Sequence, residues 1–139
     1  MSLMSLLKKW ENDGYTIKNE KYQNDDCSFS IYRAKKGRLF SKRILLVDVD
    51  DFENTNFDKL VSAIQTVNKK NDLCIAVCGS NQNPDDLKSK TMYMSDLDDG
   101  VSIIHFVYYD DNHRYTYDLD FSYYQSKLVK DAILELTEQ

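Results

Sequence analysis

A chain of 139 residues, 42% of them hydrophobic, with four glycines and one proline, has the size and make-up of one globular domain around one core. That composition excludes a linker-rich or disordered chain. The net charge of −5 disfavours non-specific nucleic-acid binding, which rests on clustered Lys and Arg.

Lys35, Lys36, Arg38, Lys42 and Arg43 do lie close together and read as a solvated hairpin loop, with a local basic patch as the alternative. Three cysteines without regular spacing, Cys27, Cys74 and Cys78, are not a disulfide framework. Four residues apart on one strand, Cys74 and Cys78 are separated by about 13 Å, too far for a bridge. Two histidines, His105 and His113, with no Cys-x-x-Cys, argue against structural zinc. No apolar run approaches the roughly 18 residues of a membrane span, and no basic segment leads into an apolar one as in a signal peptide. The expected compartment is the cytoplasm, and Met1-Ser2-Leu3 reads as a leader ahead of a natural start at Met4.

In chain order, Leu3, Leu7 and Trp10, with Leu6 beside them, predict a helix over residues 4–13 that ends at Gly14. Tyr15-Thr16-Ile17 begins a first strand and Asn24-Asp25-Asp26 signals a turn. A second strand places Phe29, Ile31 and Arg33 on one face and Ser28, Ser30 and Tyr32 on the other. Residues 43–50 are a third strand, whose unbroken run Ile44-Leu45-Leu46-Val47 requires cover on both faces. Phe57, Leu60, Val61, Ile64 and Val67 predict an amphipathic helix over 57–70, after N-cap candidates at 54–56. Leu73 to Cys78 is another buried strand. Pro84 suggests a short helix over 84–94, followed by a loop over 96–100. Val101 to Tyr108 and the alternating residues Tyr115, Tyr117, Leu119 and Phe121 predict a hairpin. Ser122-x-x-Gln125 matches a capping box ahead of a closing helix through Leu128, Ala132, Ile133 and Leu136. The expected fold is one α/β (α+β) domain over residues 1–139, with a mixed central sheet covered by helices. The crossover from the third strand through helix 57–70 makes the next strand parallel to it.

The third strand ends in Asp48-Val49-Asp50-Asp51. Alternation puts Asp48 and Asp50 on one face, roughly 6–7 Å apart, with Asp51 opposite. Two carboxylates there could share a divalent ion such as Mg²⁺, with Asp26 as a further ligand from the turn. Without a cation, their repulsion raises the pKa of one of them. The structural alternative is a solvated strand end, with Asp51 and Glu53 beside the N-terminus of the following helix.

Leu6-Leu7-x-x-Trp10, Gly14-Tyr15-Thr16-Ile17, Ser30 to Gly37, Ile44 to Asp50, helix 57–70 and Leu73 to Ser80 together resemble the core of an Mrr-type restriction-endonuclease-like domain. The resemblance covers about residues 4–80 and implies the order α-β-β-β-α-β. It also implies a metal-binding Asp on the second strand and a Glu/Gln-x-Lys motif on the third. Here Asp48 falls on the acidic position of the third strand and Asp50 on that of the catalytic Lys. Ser28 or Ser30 stands where the second-strand Asp belongs. What the resemblance implies is therefore a degenerate, non-cleaving member.

Asp48-x-Asp50 after an apolar strand also resembles the opening of haloacid-dehalogenase-like phosphatases, with Asp48 as nucleophile and Asp50 as acid/base. Phe52 replaces their usual Thr. The same stretch with Asn56 resembles the first metal-binding strand of palm-type nucleotide cyclases, without their Gly-Gly-acidic turn. Cys78 beside Gly79 is a candidate thiol nucleophile, though a buried strand cysteine is commoner. His105 reads as a packed core residue and His113 as exposed in a turn. The dense tyrosines, Tyr115 and Tyr117 above all, suggest a partner-binding or self-associating surface, against an ordinary hairpin face as the alternative.

The expected function is macromolecular binding or regulation, with a protein as the expected partner class, self-association open and no membrane. The alternative is a Mg²⁺-dependent nuclease or phosphatase using Asp48 and Asp50.

Overall fold

The computed structural model describes residues 3–39, 41–70, 72–83, 92–97, 100–112, 114–116 and 127–137. The first helix, α1 (Leu3–Asn12), buries Leu3, Leu6, Leu7 and Trp10 along one stripe. Gly14 ends it with φ 99°, a left-handed conformation open to a residue without Cβ. Three strands follow: β1 (Thr16–Gln23), β2 (Ser28–Lys36) and β3 (Lys42–Val49). They pair antiparallel in sequence, with Lys21 opposite Ser30 and Ser30 opposite Asp48. The turn between β1 and β2 closes on Asn24, whose side-chain oxygen accepts from the backbone N–H of Asp26 and of Cys27 at 2.8 Å.

A short 3-10 turn, Phe52–Asn54, separates β3 from α2 (Phe57–Val67). The side chain of Asn56 caps α2 by accepting from the Lys59 N–H at 3.1 Å. Replacing Asn56 with Ala is expected to lower stability by about 1 kcal/mol, read as a shift of the urea midpoint at unchanged slope. The helix stops before residue 70 because Asn68 turns back on the chain. Its amide donates to the Asp72 carbonyl and its oxygen accepts from the Asp72 N–H, both at 2.9 Å.

Next come β4 (Leu73–Gly79), β5 (Met92–Leu97), β6 (Gly100–Tyr109), the two-residue β7 (Tyr115–Thr116) and α3 (Lys127–Thr137). The sheet order is β1-β2-β3-β4-β6-β5, with β7 beside the end of β6. β3, β4 and β6 run parallel; β5 and β7 run antiparallel to β6. The helix expected over 84–94 does not form in its described part, where Met92–Leu97 is strand; residues 84–91 lie outside the described residues. The same strand takes in Asp96 and Leu97, expected in a loop. Its ladder with β6 runs from Met92 opposite His105 to Leu97 opposite Gly100 and holds residues 92–94 in the sheet. The expected capping box at Ser122 to Gln125 and His113 also lie outside the described residues. No described helix is long and apolar enough to cross a membrane.

The sheet separates two cores. On one face α2 packs Leu60, Val61 and Ile64 over Phe29, Ile31, Leu45, Val47, Cys74, Ala76 and Phe106. On the other, α1 and α3 cover Ile44, Leu46, Ile75, Val77 and Val107 with Leu6, Trp10, Ile133 and Leu136. Lys9 and Glu135 join these two helices through an ion pair of 3.0 Å. The central strand β3 is thus apolar on both sides, as its uninterrupted hydrophobic run requires.

Candidate functional site

At its carboxyl end β3 leaves the cover of α1 and α3, and its side chains change from Leu to Asp. Asp48 and Asp50 project from the α1/α3 face, in line with Ile44 and Leu46. Asp48 is half-buried and Asp50 exposed. The antiparallel register sets a row of side chains across this face, Lys21 on β1, Ser30 on β2 and Asp48 on β3. The lysine does not stop at Asp48. Its Nζ is hydrogen-bonded and ion-paired to Oδ2 of Asp50, and Ser28 Oγ donates to the same oxygen at 2.8 Å.

The two carboxylates therefore ionise differently. Burial is the main influence raising the pKa of Asp48. The charge of Asp50 raises it further, and Lys21 offsets only part. Burial also works against the charge of Asp50, but the bonds from Lys21 and Ser28, with the ammonium charge, outweigh it and lower its pKa. Repulsion between paired acids raising one of them is what the spacing predicted. A neutral isostere should relieve Asp48: Asp48→Asn is expected to raise stability at pH 7, by at most about 1 kcal/mol for so accessible a site. Chemical denaturation at pH 7 reads the sign.

Two tyrosines bound the site on the β6 side. Gly79, at the end of β4, leaves room for the ring of Tyr109: a Cβ there would stand 3.1 Å from its Cε2, Cζ and Oη. Tyr109 packs in turn on Tyr115, centroids 5.4 Å apart. Burial first, then the nearby Asp48, raise the pKa of both phenols, so both are neutral hydrogen-bonding groups at pH 7. Tyr115 is only 9% exposed and belongs to the α1/α3 core. This corrects the expectation of a partner-facing surface at Tyr115: its strand is covered by α1 and α3, so the ring turns inward. Tyr117 lies outside the described residues.

The rest of the acidic stretch is structural. Asp51 has left-handed backbone, φ 49°, its Oδ1 accepts from Asn54 and its carbonyl from Thr55 Oγ1. Glu53 accepts from the Asn81 N–H at 2.7 Å and from Gln82 Nε2 at 3.1 Å, clamping the segment after β4 to the 3-10 turn. Neither sits at the N-terminus of α2, which Asn56 caps, so the helix-terminus reading of these two acids is replaced by a turn and a clamp. Asp26 is exposed in the β1–β2 turn. Among the described residues no three His, Cys, Asp or Glu side chains come together as a metal-binding group, so Asp26 does not join Asp48 and Asp50.

Cys78 is fully buried on the α2 face, and burial, with Asp48 and Cys74 adding, holds its thiol far above the usual range. It is a packing residue and no nucleophile. His105 is 4% exposed, and burial lowers its pKa to about 4, as for a packed core histidine. Sequence reasoning missed Lys21 altogether. It stands in a polar edge strand, and only the pairing of β1 with β2 and β3 brings it to the acids. Compared with known proteins, the chain matches no family model, no curated protein and no solved structure.

Proposed function

We propose that this chain is a restriction-endonuclease-like domain, degenerate at the catalytic positions, that acts by binding another macromolecule and not by catalysis. The order of α1, three antiparallel strands, α2 and a parallel β4 supports the fold. One observation carries the functional reading: Lys21 from β1 stands on Asp50 where a divalent cation would be needed, with Ser28 on the same oxygen. The end of β3 brings together two acids and one lysine, the residue types of a nuclease centre, with the lysine bonded to one of the acids. The donor set does not fit Mg²⁺. An ammonium and a hydroxyl already occupy one oxygen of the Asp50 carboxylate, Asp48 is partly desolvated, and among the described residues no third acid joins them.

The competing reading is a Mg²⁺-dependent nuclease or phosphatase. It is favoured by the divergent ionisation of the pair, Asp48 up and Asp50 down, a pattern that suits an acid beside a base. Hydrolysis assays on plasmid DNA and on p-nitrophenyl phosphate, with Mg²⁺ or Mn²⁺, separate the two. Wild type is expected to match the Asp48→Asn variant at background level. Turnover that Asp48→Asn abolishes would overturn the binding reading.

A further inference from the structure

The basic residues, like the acidic ones, gather in three dimensions more than in sequence. On the α2 face, along β1 from Gly14 to Tyr22, lies an open groove of about 1160 Å³ whose basic residues gather at the end of the sheet away from Asp48 and Asp50. Its walls are β1, the end of β2, the start of β3 and the segment after α2. Arg33 and Arg43 line it already engaged, Arg33 with Glu20 and the Val67 carbonyl, Arg43 with Asp72 at 3.0 Å. Lys18, Lys35, Arg38, Lys69 and Lys70 also line it; all are exposed and none has an ion pair among the described residues. Five uncommitted cations thus converge on a protein of net charge −5.

The groove runs beside a second feature. β1 is the terminal strand of the sheet, paired on one side with β2 and on the other with no described strand. Six of its eight residues are exposed and the other two half-buried. An open strand edge presents alternating N–H and C=O groups; another polypeptide backbone satisfies both, whereas phosphates accept from N–H but have no donor for C=O. Lys18 on that edge disfavours a neutral strand by the cost of its desolvation and a basic one by charge, and attracts an acidic one. Pairing β1 with β1 of a second copy would set two cation-lined grooves side by side, which like-charge repulsion opposes. The acidic end of the protein does not prevent an acidic ligand from docking. From Arg43 to Asp50 along the strand is about 23 Å, beyond the roughly 8 Å over which charge acts in physiological salt.

We infer that β1 and this groove together form a docking site for an extended acidic segment of a partner protein, which adds as a strand to β1 and lays alternate carboxylates over Lys18, Lys35, Arg38, Lys69 and Lys70. The groove lies on the opposite face of the sheet from Asp48 and Asp50, so the site stands whether or not those acids catalyse.

Fluorescence anisotropy with a labelled eight-residue peptide of alternating Glu and Thr tests it. The controls are a block peptide of the same composition, the alternating peptide N-methylated at every second backbone nitrogen, and a labelled DNA duplex. The alternating peptide is expected to bind about tenfold tighter than the block one. It is expected to weaken about a hundredfold on N-methylation of the nitrogens that face β1, through loss of several strand hydrogen bonds. Lys18→Glu combined with Lys35→Glu, both at exposed positions, is expected to weaken it at least about tenfold. Equal binding of alternating, block and N-methylated peptides would reduce the groove to unspecific charge and overturn strand addition. Tighter binding of the duplex, lost in the same double variant, would overturn the proposal in favour of a nucleic-acid site. No peptide binding at low salt would overturn it outright. The peptide controls leave the protein untouched, so the result does not hang on how the variant folds.

Discussion

Leu45→Ala and Leu46→Ala are each expected to destabilise the protein by about 2–5 kcal/mol, and the double variant is expected not to fold. The two residues are neighbours on β3, both 0% exposed, and they point into different cores. Leu45 lies under α2 with Phe29, Ala76 and Ile64; Leu46 lies under α1 and α3 with Ile75, Val77 and Ile133. Each truncation removes about three methylenes' worth of burial and leaves a cavity that a sheet packed on both faces cannot close. Because the two residues are adjacent on one strand, their penalties are expected to couple through the backbone of β3 when the double is measured in a stabilised background. A Leu46→Ala variant with an unchanged urea midpoint would contradict packing of α1 and α3 on that face.

The second large effect is a pH dependence carried by His105. It lies on the same face, next to Ile75 on β4. Burial lowers its pKa from 6.5 to about 4, so the folded protein holds it neutral. The unfolded chain binds a proton there from pH 6.5 downward and the folded one does not, so stability falls as pH drops through that interval. At about 1.4 kcal/mol per pH unit, the loss reaches about 3 kcal/mol near pH 4. Asp48 works in the opposite sense, since its raised pKa lets the fold take up a proton more readily than the unfolded chain. The comparison that isolates the histidine is therefore wild type against His105→Gln. The difference between their unfolding free energies should change steadily between pH 6.5 and 4 and stay flat above pH 7. Parallel curves across that range would mean that His105 is protonated in the fold.

What could be read in the sequence follows from how local each signal is. The helical spacing of Leu3, Leu7 and Trp10, the left-handed Gly14, and the unbroken Ile44 to Val47 all act within one element, and each is found where the pattern places it. The packed His105 and the shared face of Asp48 and Asp50 follow from strand alternation in the same way. β1 was legible only at its start, because Lys18 to Lys21 have no apolar alternation: an edge strand exposed on both faces needs none. β5 was hidden because its strand state follows from its pairing with β6, a partner that local sequence does not reveal. Of the two readings of Tyr115, the ordinary hairpin face holds and the partner surface does not; alternation tells that a strand has two faces, not which one the helices cover. Lys21 and the groove were out of reach for one common reason. Lys21 meets Asp50 across 29 positions of sequence, and Lys18, Lys35 and Lys69 meet only through the sheet.

The central claim is that the ammonium of Lys21 fills the place of a cation at the end of β3. Isothermal titration calorimetry with Mg²⁺ and Mn²⁺ tests it most directly, on wild type, Lys21→Ala and Lys21→Ala combined with Asp48→Asn. Wild type is expected to show no binding at millimolar metal, Lys21→Ala measurable binding, and the double variant its loss again. Wild-type protein that binds either ion, with the binding abolished in Asp48→Asn alone, would contradict it.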